Sequence, residues 1–311
     1  MSRVLVFALL LSACSNGGSQ NEGRRAASHT SDNSKVKIPD SDNSSPPAVV
    51  CSKYPLVFLH GFMGGKKGSF AGAQKYFEGL GCKVVMTEVA AVNGVDVRGG
   101  QIASQLKSIL GQYGAQKVNI IAHSQGGLDA RYAISILKMG SSVASLTTLS
   151  TPHLGSPVAD VALRGSTDPF SKSMIDALLN LMTGEVSSQG IASNDTRAAF
   201  TALSTSYMRS FNEKTPNDPG VYYQSWGART GSGTGDKTKT ILALTQGYIY
   251  AKSGENDGMV AVSSAKWGEY KGTLEADHLD LGGLTVDDSA TKFDHLKFLD
   301  TVVSDLKTKG Y

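Results

Sequence analysis

The chain has 311 residues, 40% of them hydrophobic and 18% charged, with 35 glycines. These proportions exclude a collagen, a coiled coil and a fully disordered chain, and the length allows one large α/β domain or two smaller ones. Lys plus Arg is 30 against 27 for Asp plus Glu, a formal charge of +3, too weak a field to argue for a nucleic-acid partner. Three cysteines, none in C-x-x-C spacing, exclude a disulfide-built scaffold and a cysteine metal site.

The N-terminus reads MSRVLVFALLLSAC. Arg3 gives a positive start, and Val4 to Leu11 is an apolar run of eight, far too short to span a bilayer permanently. The run ends in Leu11-Ser12-Ala13-Cys14, which resembles the lipobox of bacterial lipoproteins. That resemblance implies a signal peptide over 1–13, cleavage before Cys14, and acylation of its thiol and new amino group. Each acyl CH₂ buried in a membrane contributes about 0.8 kcal/mol. Ser15 after the cysteine implies, by the same resemblance, an outer-membrane destination. The alternative is an ordinary secretory signal with a chance cysteine, giving a secreted protein. Between 15 and 48 the only apolar residues are Ala26, Ala27, Val36, Ile38 and Ala48, amid Ser, Asn, Gly, Asp and Pro. Such a segment buries too little surface to offset its ordering entropy, so 14–48 reads as a flexible tether and 49–311 as the folded domain.

Within that domain Tyr54 to His60 is an apolar run ending in glycine, a buried strand. Residues 70–80 read as helix and Cys82 to Val89 as a second strand. Ile102, Leu106, Ile109, Leu110 and Tyr113 recur at helical spacing. Lys117 to Ala122 is a third strand, a helix follows from about 126 to 138, and Val143 to Ser150 is a fourth strand. Val221 to Gly227 is a later strand, and Phe293, Leu296, Leu299, Val303 and Leu306 stripe a C-terminal helix. Strands alternating with helices predict a mostly parallel sheet covered on both faces. Cys51 and Cys82 each precede a strand. If those strands are parallel neighbours the two sulfurs lie at one end of the sheet and form a disulfide; two unpaired core thiols are the alternative.

The third strand runs into His123-Ser124-Gln125-Gly126-Gly127 and then into a helix. This is a nucleophile elbow written A-x-S-x-G. The serine must stand on a strained strand-to-helix turn, and the positions two before and two after it must be small, as Ala122 and Gly126 are. The helix N-terminus aims N–H groups at a developing oxyanion. The amide of Gln125 is one oxyanion donor. The loop after the first strand, His60-Gly61-Phe62-Met63-Gly64-Gly65, supplies the other, with the amide of Phe62 as candidate. A capped βα turn and a plain glycine-rich turn are the plainer alternatives.

The segments YPLVFLHGFMG, MTEV, VRGGQI, VNIIAHSQGGLDARY, TTLSTPHLGSPVAD, ENDGMV and DHLD together resemble the true lipases of bacterial family I, the Pseudomonas and Burkholderia type. The resemblance implies an α/β-hydrolase fold and hydrolysis of acylglycerol esters. Of six histidines, His29 is in the tether, His60 and His123 flank the two loops, His153 sits in a segment the family uses structurally, and His295 is on the C-terminal helix. That leaves His278, placed late in the chain as the order Ser, acid, His requires. Asp257 takes the position of the family's catalytic acid; Asp236 and Asp277 are weaker candidates. The expected catalytic set is therefore Ser124, Asp257 and His278. No cofactor is required by such chemistry.

The resemblance also raises a structural calcium near the histidine loop. Asp280 matches one ligand position and Asp236 is a candidate for another, but the glutamine ligand of the family falls at Leu284, which cannot coordinate. Residues 160–215 carry an insertion in which Met174, Ile175, Leu178, Leu179, Leu181 and Met182 put an apolar face on a short helix. A lid over an acyl pocket and a packed core helix both fit that face. The expected substrate is a lipid ester at an interface, with the membrane as partner through the acyl anchor. A carboxylesterase or phospholipase on the same triad is the near rival, and an inactive lipase-like binding lipoprotein the distant one. A need for a folding chaperone is not legible in the sequence.

Overall fold

The computed structural model describes residues 51–311 except 63, 65–68, 71, 166–168, 170–171, 174–175, 177–194 and 285–292. The expected signal peptide, Cys14 and the expected tether lie outside the described residues, as do the apolar residues 174, 175, 178, 179, 181 and 182 of the expected short helix.

Six strands make one sheet in the order β2-β1-β3-β4-β5-β6, every neighbouring pair parallel. They are β1 (Leu56–Leu59), β2 (Val84–Met86), β3 (Val118–His123), β4 (Val143–Leu149), β5 (Tyr222–Arg229) and β6 (Glu269–Glu275). The described α-helices are α1 (Ala73–Gly79), α2 (Val95–Tyr113), α3 (Gln125–Ser135), α4 (Pro157–Arg164), α5 (Thr196–Leu203), α6 (Thr205–Lys214), α7 (Ala243–Ser253), α8 (Val262–Ala265), α9 (His278–Leu281) and α10 (His295–Thr308).

Strand β1 shows why the helices sit where they do. Its four residues are all buried, and successive side chains leave opposite faces of the sheet. Leu56 and Phe58 join Phe77 of α1 and Phe298, Val302 and Leu306 of α10 in one core. Val57 and Leu59 join Ile102 and Leu106 of α2 and Ala130 and Ile134 of α3 in the other. A sheet buried on both faces favours apolar residues at successive positions, so an apolar run was the right sign for β1 and, with Asn119 paired to Ser145, for β3.

Strand β6 was not expected. It reads EYKGTLE, lies at the sheet edge, and exposes Glu269 and Glu275. An edge strand half open to water carries no apolar run for a sequence reading to find. Helices α5, α6 and α7 also went unpredicted, although Asp195 and Ser204 accept the amides of Ala198 and Tyr207 as N-caps of the first two.

Strands β1 and β2 are parallel neighbours, with Leu56 opposite Val84. Cys51 and Cys82 precede them with Cα atoms 5.2 Å apart and are joined by a disulfide. After β1 the chain steps to one side of the sheet, and from β3 onward it builds on the other. At such a reversal the loops leaving β1 and β3 diverge and open a crevice at the carboxyl ends of the strands. Among the described residues no helix is long and apolar enough to cross a membrane.

Candidate active site

Ser124 stands at that crevice, between the last residue of β3 and the first of α3. Its backbone has φ 54° and ψ −128°, a conformation that costs a residue with a Cβ of the order of 1–3 kcal/mol. The surroundings hold it there. Its amide donates to Leu149 O (2.9 Å), and its carbonyl accepts from Thr151 Oγ1 (2.8 Å). A Cβ on Gly126 would stand 2.8 Å from the carbonyl oxygens of Leu59 and His60, and one on Gly61 would stand 2.6 Å from Ser124 Cβ. The small residues around the elbow are therefore what allows the β1 loop and the serine turn to touch. Among the described residues, neither the Phe62 nor the Gln125 amide donates a hydrogen bond to a protein acceptor.

The loop carrying Phe62 is held from beneath by Arg98 of α2, whose side chain is fully buried. Its guanidinium donates to the carbonyls of His60 (2.9 Å) and Gly61 (3.2 Å) through Nη2, and to Ala90 O through Nη1. Its Nε donates to Asp129 Oδ2 of α3 at 2.7 Å. One buried ion pair thus ties the loop after β1 to the helix after Ser124. Burial pushes the Asp129 carboxyl up to about 7, against the pull of Arg98. His60 is also enclosed. Its Nε2 accepts from the Val89 amide, which leaves Nδ1 to donate to Gly61 O at 2.9 Å. Burial, and then the Arg98 charge, bring its pKa down to about 3, so the ring is neutral.

His278 is the first residue of α9, directly after the loop that leaves β6. Two bonds fasten it to Asp257. Its Nδ1 lies 2.8 Å from Asp257 Oδ2, and its amide donates to Asp257 O at 2.9 Å. Asp257 is wholly buried, and its other carboxylate oxygen accepts the amides of Met259 (2.9 Å) and Val260 (2.7 Å). The carboxylate is therefore fixed by backbone before it meets the ring. His123 lies against the other side, its ring centroid 4.5 Å from that of His278. Burial and the neighbouring His278 hold His123 well below the usual histidine range.

Ser124, His123 and His278 line one cleft that opens to solvent. Phe62, Phe200, Leu203, Leu242, Met259 and Leu279 give it apolar walls. A cleft with apolar walls lined by a hydroxyl and by an imidazole backed by a buried carboxylate suits an apolar substrate with one polar reacting group.

Curated relatives share most of this chain. It is 33% identical over 260 residues to "Triacylglycerol lipase 2" of Saccharomyces cerevisiae, covering 77% of this chain and 73% of that one. It is 30% identical over 329 residues to "Triacylglycerol lipase" of Burkholderia plantarii, covering 86% of this chain and 91% of the relative. The chain belongs to the triacylglycerol lipase family. The family model described as "Putative serine esterase (DUF676)" matches residues 56–172, from β1 through α4. Among solved structures, Bacillus licheniformis lipase BlEst2 in its mature form has a TM-score of 0.59 at 25% identity, covering 77% of this chain and 89% of that one. The protein is a lipase or carboxylic ester hydrolase with the α/β-hydrolase fold.

In this lipase the two weaker candidates for the acid lie away from the His278 ring. Asp277 caps α9, its Oδ1 accepting the amides of Leu279 and Asp280, and Asp236 Oδ2 accepts from Thr230 Oγ1 at 2.9 Å. His153 is buried behind the site, its Nε2 3.1 Å from Thr148 Oγ1 and its ring stacked on Trp267. Asp236, Asp277 and Asp280 offer carboxylate oxygens within 4.8 Å of one another. Calcium takes roughly six to eight oxygens at about 2.3–2.6 Å. Here the Lys239 ammonium occupies the carboxylates instead, 3.0 Å from Asp277 Oδ2 and bonded to Asp280 Oδ1. Leu284 lines the cleft and offers no side-chain ligand. Among the described residues the set as it stands does not fit calcium: Asp280 shares the Lys239 ammonium with Asp277, and Asp236 is bonded to Thr230.

Arg98, Asp129 and Lys239 were missed as site residues. The first two lie inside the VRGGQI and HSQGGLDARY segments, where a charge near paired glycines was the available sign. Lys239 sits in a Gly/Ser/Thr/Lys-rich stretch that gives no sign of a buried lysine.

Proposed function

We propose that the lipase cleaves triacylglycerols through an acyl-enzyme formed on Ser124. The observation that carries this reading is the His278 ring held on a buried Asp257 and lining the same apolar cleft as Ser124. His278 removes the Ser124 hydroxyl proton as Oγ attacks the ester carbonyl, and Asp257 orients the ring and stabilises the imidazolium that forms. The tetrahedral oxyanion is met by the amides of Phe62 and Gln125, each contributing about 3 kcal/mol. His278 then passes the proton to the departing diacylglycerol alkoxide. Water, deprotonated by the same ring, releases the fatty acid and restores Ser124.

The apolar walls of the cleft support a long acyl chain as the group transferred. The Burkholderia plantarii relative supports assignment to the bacterial family I type. For the cell, the Leu11-to-Cys14 segment supports export and acylation at Cys14, with the outer membrane as destination and the tether carrying the domain. Cys14→Ser is expected to leave the protein soluble after export.

The test is a substrate series of emulsified long-chain triacylglycerol, phosphatidylcholine vesicles and a short-chain nitrophenyl ester, assayed with wild type and Ser124→Ala. The reading expects the triacylglycerol to be turned over and Ser124→Ala to lose several orders of magnitude on each substrate cleaved. A chain active only on the short ester is a carboxylesterase, and one active only on the vesicles a phospholipase. Undiminished turnover by Ser124→Ala removes the mechanism.

A further inference from the structure

The histidine turn carries three acidic side chains packed close together: Asp277, Asp280 and, from the loop after β5, Asp236. All three are buried. Buried carboxylates need a compensating cation or their charge is suppressed. The cation is a side chain of this chain. Lys239 is 2% exposed, and its ammonium donates to Asp277 Oδ2 at 3.0 Å and to Asp280 Oδ1. The Lys239 amide donates to the same Asp277 oxygen at 3.3 Å. The remaining oxygens of Asp277 and Asp280 are taken by backbone: Asp277 Oδ1 accepts the amides of Leu279 and Asp280, and Asp280 Oδ2 accepts the amide of Asp277.

The consequence for the site is direct. Asp277 and Asp280 form the capping box that shapes α9, and His278 is the first helical residue after the cap. Asp257 grips the His278 ring from one side, and the Asp277 cap sets its backbone from the other. Without a cation the two aspartates repel across the turn that aims the ring.

We infer that Lys239 is the positioning residue of the histidine turn, its ammonium supplying internally the charge that a bound divalent cation would otherwise supply, so that the enzyme works without calcium. The inference rests on the Ser124–Asp257–His278 reading, and its test separates the two: chelation and calcium ask about the cation, while Ser124→Ala reports on the nucleophile.

The experiment compares wild type, Lys239→Ala and Lys239→Arg after chelation, each with and without added millimolar calcium chloride, by melting temperature and by kcat and KM on a soluble ester. Wild type is expected to show the same melting temperature and kinetics in chelator and in calcium. Lys239→Ala should lose at least about tenfold in kcat with KM within about threefold, the pattern of a misaimed catalytic group. Calcium should restore part of its kcat and raise its melting temperature, because removing the ammonium leaves three carboxylates facing a vacated space. Lys239→Arg, which keeps the charge, should lose less than Lys239→Ala. A wild type whose melting temperature or kcat falls on chelation and returns with calcium overturns the inference. So does a folded Lys239→Ala with wild-type kcat, or one that calcium does not help. Should Lys239→Ala not fold, the wild-type chelation arm decides alone. Ser124→Ala, inactive under every condition, reports separately on the nucleophile.

Discussion

Gly126 has no room for a side chain, because its missing Cβ is where the carbonyls of Leu59 and His60 pass. Gly126→Ala must push β1 and α3 apart, and overpacking of this kind costs about 1–3 kcal/mol. A lowered melting temperature together with reduced kcat/KM is expected, and an unchanged melting temperature would show that the contact is softer than its geometry. Ser124 offers the converse case. At φ 54° it holds a conformation that glycine adopts without strain. Ser124→Gly should therefore be inactive yet as stable as wild type or more so, by up to about 1 kcal/mol in denaturant unfolding. Asp257→Asn keeps the shape of the carboxylate but favours the wrong tautomer of His278, and a loss of about 10⁴ in kcat is expected with little change in KM. These residues were readable because each sits in a short motif whose spacing follows from the chemistry. Arg98 and Lys239 were not, since their charged partners lie 31 or more positions away. Nothing in a linear sequence joins a lysine at 239 to aspartates at 277 and 280.

At the scale of elements, the Arg98–Asp129 pair connects α2, α3 and the loop after β1 without touching the cleft. Removing one partner of a buried pair strands the other, at about 3–5 kcal/mol. Arg98→Met should unfold at markedly lower denaturant and, where still folded, should lose kcat, because the Phe62 loop is freed. Equal stability of the variant would deny the pair its bracing role. The same loop gives a dependence on pH. His60 stays neutral in the fold down to about pH 3, while in the unfolded chain it gains its proton near its ordinary value of 6.5. Its folded pKa is lowered, so its contribution is present above about 6.5 and is lost as pH falls from there toward 3, by up to about 1.4 kcal/mol per pH unit. The stability advantage of wild type over His60→Gln should shrink across that window. The elements themselves were legible where burial on both faces gave apolar runs, wholly in β1 and interrupted by few polar residues in β3 and β4. They were lost where an element is half exposed, as in β6, or depends on distant packing, as in α5 and α7.

For the whole molecule, the disulfide closes a stretch of 31 residues that includes β1, α1 and the Phe62 loop. A closed loop of that length restricts the unfolded chain by about 3–4 kcal/mol. Cys51→Ser with Cys82→Ser is expected to lower the melting temperature while leaving the folded enzyme active. A melting temperature equal to that of wild type would mean that the sheet core alone sets stability. The α/β architecture and parallel sheet were legible from the alternation of strands and helices. The reach of Lys239 into the histidine turn, which couples the β5 side of the sheet to the β6 side, belongs to the folded molecule alone.

The most direct measurement is the site of covalent labelling by an alkyl organophosphonate, read by mass spectrometry of the modified peptide. A hydroxyl activated by His278 and Asp257 predicts a single adduct on Ser124, with loss of activity in proportion and strongly slowed labelling in His278→Ala and Asp257→Asn. An adduct on another side chain, or labelling of Ser124 at the same rate when His278 is removed, would contradict it.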